Sequence, residues 1–203
     1  MDGDFSIGSL LRIDDEERAQ ALAQMAKPVH VEKNTILVVP GEVQTQIPIL
    51  LSGVFRGFVL DPEGEEVTDC FIYLKGEMAI GCNPLGEPSF IGLEAITDCE
   101  VVTIPVDELL SMLNSDMELL RVYNRYLLEG LSRHWRGKML MHRHTAMQRY
   151  EWFLENYPGL ADVVSSKHIA SFLGMTTVTV SRLRRELRGG KSRPYRRRAE
   201  AGE

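Results

Sequence analysis

Gly41, Gly53, Gly64 and Gly76 recur at intervals of 12, 11 and 12 residues, and around them lie short runs rich in β-branched and aromatic residues. The runs are TILVV, IPILL, GVFRGFVL, EVTDCFIYL, SFIGLEAI and CEVVTIPV. One strand and one turn fill such an interval, with glycine supplying the positive φ that tight turns need. The spacing predicts an antiparallel sandwich or barrel between residues 29 and 106, and we expect a jelly roll. Pro62-Glu63-Gly64 is a turn with its own mechanism, since proline presets φ and glycine accepts the left-handed region.

Ahead of the strands, SLLRIDDEERAQALAQMAK (residues 9–27) has helical apolar spacing and an acidic first turn, which predicts one or two short helices closed by Pro28. After Pro105 the period changes. Residues 106–157 contain no proline, and Leu113, Leu119, Leu120, Val122, Tyr123, Tyr126, Leu127, Leu131, Trp135 and Met139 recur at threes and fours. A helix over residues 117–143 would run roughly 40 Å, longer than a small domain needs for its own core. Packing against the sheet would use part of its apolar stripe. The width of the stripe points further, to a two-stranded coiled coil in a homodimer through Leu119, Tyr123, Tyr126, Leu127, Leu131 and Trp135.

The 203-residue chain carries a formal charge of −6, unevenly spread. Residues 1–132 hold 8 Lys and Arg against 23 Asp and Glu, whereas residues 133–203 hold 15 against 6. An acidic domain joined to a basic one is the signature of a chain whose second part meets a polyanion. No apolar run approaches the roughly 18 to 20 residues of a membrane span, and the acidic N-terminal stretch lacks the basic-then-apolar order of a signal peptide. A cytoplasmic protein with no membrane partner is expected. Cys70, Cys82 and Cys99 form no CxxC pair and are too few for a disulfide framework, so reduced thiols are the default.

The basic part contains SKHIASFLGMTTVTVSRLRREL, residues 166–187. Ala170 falls where two helices would cross, and Gly174 where a tight turn needs φ > 0. Ile169, Leu173, Val180 and Leu183 form the inward set, and Thr176 suits the N-cap of the second helix. Thr177, Val178, Ser181, Arg182 and Arg185 then share one outward stripe, small and polar at its start and cationic at its end. Slim residues to enter the major groove and guanidiniums to hold guanine edges or phosphates are what a recognition helix requires. With Thr176 and with Lys167 on the first helix they make up the candidate DNA-binding set. A solvated αα-hairpin is the plain alternative. The segment RGGKSRPYRRRAEAGE beyond it reads as a disordered basic arm for nonspecific phosphate contact.

Taken together, the glycine-marked roll, the long helix and QRYEWFLENYPGLADVVSSKHIASFLGMTTVTVSRLRREL resemble the Crp/Fnr family of bacterial transcription regulators, over residues 15–187. The segment from Arg149 through HIASFLGMT to VSRLRREL is the most specific part. The resemblance implies an α+β architecture: a cyclic-nucleotide-binding-like jelly roll, a parallel dimer through the long helix, and a winged helix-turn-helix reading a two-fold operator. Members that bind cyclic nucleotides carry Gly-Glu and then Pro-Arg-Ser or Pro-Arg-Thr in the pocket, the acid on the ribose and the arginine on the phosphate. Here Gly81 is followed by Cys82, and Ser89 follows Pro88 where the arginine belongs. Without its guanidinium a buried phosphate loses charge-assisted bonds worth about 1.5 to 3 kcal/mol each, so no cofactor is expected, cyclic AMP included. Gly81, Cys82, Pro88, Ser89 and Phe90 are left as candidates for the pocket of an unknown small-molecule effector. Glu77 lies ahead of this stretch. In the reading helix Val178 replaces the family's glutamate, which changes the expected half-site, while Arg182 matches its base-contacting arginine. No hairpin sequence for a wing follows residue 187, so the wing is expected to be absent or reduced.

These readings divide the chain into a sensing roll (1–108), a dimerisation helix and hinge (109–145), a helix-turn-helix unit (146–190) and a basic tail (191–203). Double-stranded DNA, a second copy of the chain and RNA polymerase are the macromolecular partners expected. Other chemistries have weaker support. A metal or haem sensor would draw on His134, His142 and His144, but residues two apart on a continuous helix point about 200° from each other. A thiol switch would use Cys82 or Cys70. A jelly-roll dioxygenase needs histidines on its strands, and residues 31–106 contain none; we therefore expect no enzyme. A fold relative that has lost DNA binding and serves as an interaction module would not need Arg182 and Arg185.

Overall fold

The structure, a computed structural model, describes residues 6–81 and 84–189. The chain forms two compact units, Met1–His134 and Trp135–Glu203. Two short helices open the first, α1 (Ile7–Leu11) and α2 (Glu16–Met25). Each has a side-chain cap: Ser6 Oγ accepts from Ser9 N–H and Asp15 Oδ1 from Arg18 N–H. The chain then turns extended sooner than Pro28 suggested. Lys27–Val31 is a strand, β1, with Pro28 inside it. An edge position makes this possible, since β1 is outermost in its sheet and proline has no N–H to contribute.

Six more strands follow: β2 (Ile36–Val38), β3 (Gln46–Ser52), β4 (Phe55–Leu60), β5 (Glu66–Ile72), β6 (Gly92–Ala95) and β7 (Cys99–Pro105). They form two antiparallel sheets, ordered β1-β7-β3 and β2-β6-β4-β5. Alternation assigns the faces. Leu50, Phe55, Leu93, Ala95 and Val101 fill the space between the sheets, while Ile47, Ile49, Val102 and Ile104 point the other way, toward the helices. Strands β3 and β7 are therefore covered on both faces and read as nearly continuous apolar runs. Gly76 shows why the spaced glycines are needed: its φ is 88°, and a Cβ there would lie 2.5 Å from Leu10 O.

Helix α3 (Val106–Ser115) leads to α4 (Met117–Arg143) through Asp116. Asp116 Oδ1 accepts from Glu118 and Leu119 N–H and its Oδ2 from Arg18 Nε at 2.6 Å. The Arg18 hydrogen bond and these backbone donors hold its carboxyl below the usual range. Leu119 is 3% exposed in the core that α1, α2 and α3 share with the sheet. Tyr126 Oη accepts from Met78 N–H (2.8 Å) and donates to Met78 O (2.7 Å). One heptad later Arg133 pairs with Glu77, whose other oxygen accepts from Tyr73 and Leu74 N–H. Burial, and then the nearby Glu77 charge, push the Tyr126 phenol up.

These contacts correct the dimer set read from the sequence. Leu119, Tyr123 and Tyr126 serve the unit's own core and its polar hooks. The face left open lies on the other side of the helix, with Leu128, Leu131, Trp135 and Met139 each more than half exposed and Leu127 at its margin. At about 100° per residue Tyr126 lies about 140° around the axis from Leu131, and Trp135 only about 40°.

The second unit adds α5 (Ala146–Asn156), α6 (Leu160–Val163), α7 (Ser166–Phe172) and α8 (Thr177–Arg188). Thr145 and Gln148 make a reciprocal capping box at the start of α5. Tyr150, Phe153, Leu160, Ile169, Ala170, Leu173, Val180 and Leu183 form the core. Trp152, Phe153, Tyr157 and Phe172 stack and meet edge-on beside it, with centroids 5.2 to 6.5 Å apart.

Candidate nucleic-acid interface and effector pocket

The α7–α8 pair is assembled from local chemistry. Ser165 Oγ caps α7 by accepting from His168 N–H, and Thr176 Oγ1 caps α8 by accepting from Thr179 N–H at 3.1 Å. Between them Gly174 takes φ 59°, and Met175 N–H returns to Ala170 O at 2.9 Å. Ala170 is 2% exposed at the crossing, and Ile169, Leu173, Val180 and Leu183 all point inward. The outward stripe follows of necessity. Thr176, Thr177, Val178, Ser181, Arg182 and Arg185 are exposed, as is Lys167 on α7. Val178 is 76% exposed, an unusual state for valine on so polar a helix. Arg182 reaches forward one turn to Glu186 at 3.4 Å, an exposed pair that holds it only weakly.

Two arginines that sequence reasoning passed over turn inward. Arg184 donates from Nε to Tyr150 Oη (3.2 Å) and from Nη2 to Ala161 O (3.1 Å), clamping α8 to α5 and α6. Arg149 donates from Nη1 to Leu173 O at 2.7 Å. Nothing in the sequence marks either contact except a cation set among apolar positions, because both partners include main-chain carbonyls distant in sequence.

In the roll, the five pocket candidates separate. Gly81 and Ser89 are buried against each other: a Cβ on Gly81 would lie 2.6 Å from Ser89 Oγ and 2.9 Å from Ile91 O. Ser89 Oγ donates to Ile91 O at 2.7 Å and is 1% exposed. Gln44, also buried, donates to Gln46 O and Ala79 O and accepts from Gly81 N–H. The polar groups of this corner are thus answered by the chain itself. Pro88 and Phe90 do not line an interior site; they flank inward-pointing Ser89 and alternation turns them to solvent, Phe90 to 67% exposure. Cys82 lies outside the described residues, as does the basic tail from residue 190, where a wing would begin.

A buried guanidinium does exist in the roll. Arg56 is 3% exposed, but it is committed to Glu66 and Glu94 and lies 4.7 Å over the Phe58 ring. Its neighbour Phe55 fills the space between the sheets, so Arg56 faces the opposite way. Glu77 is likewise spoken for by Arg133 and two backbone amides.

Cys70 Sγ packs against Gly57, where a Cβ would lie 2.6 Å away, although the residue as a whole is half-buried. Burial and then the Asp69 charge push this thiol up to about 12, which removes the thiolate a redox switch needs. Helix α4 ends at Arg143, so His144 lies past its end and the 200° separation from His142 no longer applies. Even so, no group of three or more His, Cys, Asp or Glu suited to a metal occurs among the described residues. His134 stands 3.9 Å from Asp69. No described helix is long and apolar enough to cross a membrane.

An antiparallel roll and a capped helix-turn-helix thus occur in one chain. Residues 28–116 match the cyclic nucleotide-binding domain family. The nitrogen fixation regulation protein FixK of Azorhizobium caulinodans is 28% identical over 176 residues, covering 81% of this chain and 70% of that one. FixK2 from Bradyrhizobium japonicum has the same fold, with a TM-score of 0.73 at 22% identity over 84% of this chain and 88% of its own. A Crp/Fnr-family transcriptional regulator from Thermus thermophilus gives 0.63 at 19% identity over 84% and 90%. In sequence and in fold the chain is thus similar to Crp/Fnr-type transcription regulators.

Proposed function

We propose that the protein is a homodimeric, sequence-specific DNA-binding transcription regulator that acts on a palindromic operator in the cytoplasm and is controlled by a signal other than cyclic AMP. The observation that carries the reading is α8 itself: its inner face is locked by Val180, Leu183 and Arg184, and its outer face presents short polar residues, Val178 and the exposed cations Arg182 and Arg185. Helices held this rigidly can offer side chains to base edges in a fixed register. Arg182 is the candidate for a guanine edge, and Val178 for a thymine methyl.

Dimerisation through Leu127, Leu128, Leu131, Trp135 and Met139 would set two copies of α8 one DNA turn, about 34 Å, apart. The roll then acts by biasing the junction at residues 144–148 between α4 and α5. Cyclic AMP in the family's usual mode is disfavoured because the Gly81–Ser89 corner is filled by Ser89 Oγ and Gln44 and offers a phosphate no guanidinium.

Replacing Arg182 tests the base-reading role. Arg182→Ala should cost roughly 1 to 3 kcal/mol on the operator and relax one base position per half-site. Competition binding on operator and random duplexes reads this directly; an operator-to-random ratio equal to that of the wild type would leave α8 an interaction surface rather than a reading helix.

A further inference from the structure

Arg149 lies in the second turn of α5 and touches two other segments of the same unit. Nη1 donates to Leu173 O at 2.7 Å and to Gly174 O at 3.4 Å, and it stands 3.9 Å from Met141 Sδ in the last turn of α4. Leu173 closes α7, and Gly174 makes the turn into α8. A guanidinium here answers carbonyls left open at a helix end and opposes the negative pole of its dipole. Its Nε, by contrast, is buried without an acceptor. A buried donor with no partner works against stability. What the side chain secures is therefore a fixed spacing among three segments: the end of α4, the start of α5, and the turn that aims α8.

We infer that Arg149 is a positioning residue for DNA reading: by tying the last turn of α4 to the Leu173–Gly174 turn it fixes the direction in which α8 is presented, and hence the half-site spacing a dimer accepts. The inference rests on the dimeric DNA-reading function proposed above. Arg149 is turned away from the exposed stripe and reads no base, so its effect falls on spacing and not on base preference.

The experiment uses the full-length protein as wild type, Arg149→Met and Arg149→Gln. Each binds the duplex selected by the wild type, versions with one base pair added or removed between the half-sites, and a random duplex. The wild type should prefer its own spacing by about tenfold or more, and the variants should lose that preference to within about twofold while keeping the half-site sequence preference. A lower folded fraction weakens binding to every duplex alike and leaves the spacing ratio unchanged, so the ratio separates positioning from stability. Should Arg149→Met fail to fold, Arg149→Gln supplies the ratio. A folded variant with the wild-type spacing ratio overturns the inference, as does one that loses sequence preference along with spacing. A wild type with no preference among the duplexes overturns the DNA-reading function instead.

Discussion

Val178 stands at the head of α8 with three-quarters of its surface in water, at the position where the family resemblance leads one to expect glutamate. A valine cannot accept from a cytosine amino group, but it gains by covering a thymine methyl. Val178→Glu should therefore move one base per half-site from thymine toward cytosine, a change of about 1 to 3 kcal/mol in relative affinity. Selection from random duplexes reads the shift, and an unaltered consensus would take Val178 out of the interface. Cys70 makes a prediction of another kind. The unfolded thiol ionises near 8.5 by the usual reference, whereas burial keeps the folded one protonated to about 12. Its contribution to stability is thus fully present below the unfolded value and is lost as pH rises above it, because the unfolded chain releases a proton that the folded chain keeps. Urea unfolding between pH 8 and 10.5 should show wild type losing stability faster than Cys70→Ser, by at most about 1.4 kcal/mol per pH unit. Parallel profiles would mean that the sulfur is not shielded as the Gly57 contact indicates.

Helix α4 has two apolar faces, one packed into the roll and one open, and the elements differ in how plainly the sequence announces them. Leu119→Ala should cost about 2 to 5 kcal/mol in unfolding free energy and leave the proposed dimer intact, since Leu119 is core. Leu131→Glu with Trp135→Glu should leave the fold in place and yield monomers at micromolar concentration, because charges would then face each other across the open stripe. Sedimentation equilibrium with urea unfolding separates the two effects, and a persistent dimer in the double variant would assign the interface elsewhere. The strands and turn glycines were legible because period and φ are local properties. Strand β1 was hidden by Pro28, which reads as a helix stop although an edge strand tolerates it. The faces of α4 were confused because apolar residues at threes and fours show that a helix has partners without showing which side each partner takes. In the α7–α8 pair the outward stripe could be read from spacing and the inward set. Arg149 and Arg184 could not, since their acceptors include carbonyls 24 and 23 residues away.

Across the whole molecule, charge and architecture agree. The acidic residues gather in the part that forms the roll and the basic ones in the part that forms the helix-turn-helix, a split that suits the proposed approach of the second unit to a polyanion. The roll matches the cyclic nucleotide-binding domain family, and we read its Gly81–Ser89 corner as closed to a phosphate because Ser89 Oγ and Gln44 there bond within the chain. As proposed, the protein reads DNA as a two-fold dimer and does so without a cyclic nucleotide. Selection of random duplex DNA by the purified full-length protein at moderate salt, with and without cyclic AMP and cyclic GMP, tests both at once. The account predicts one enriched palindrome, the same in every condition. A palindrome that emerges only with a cyclic nucleotide would contradict the closed corner, and no enrichment in any condition would contradict the DNA-reading dimer.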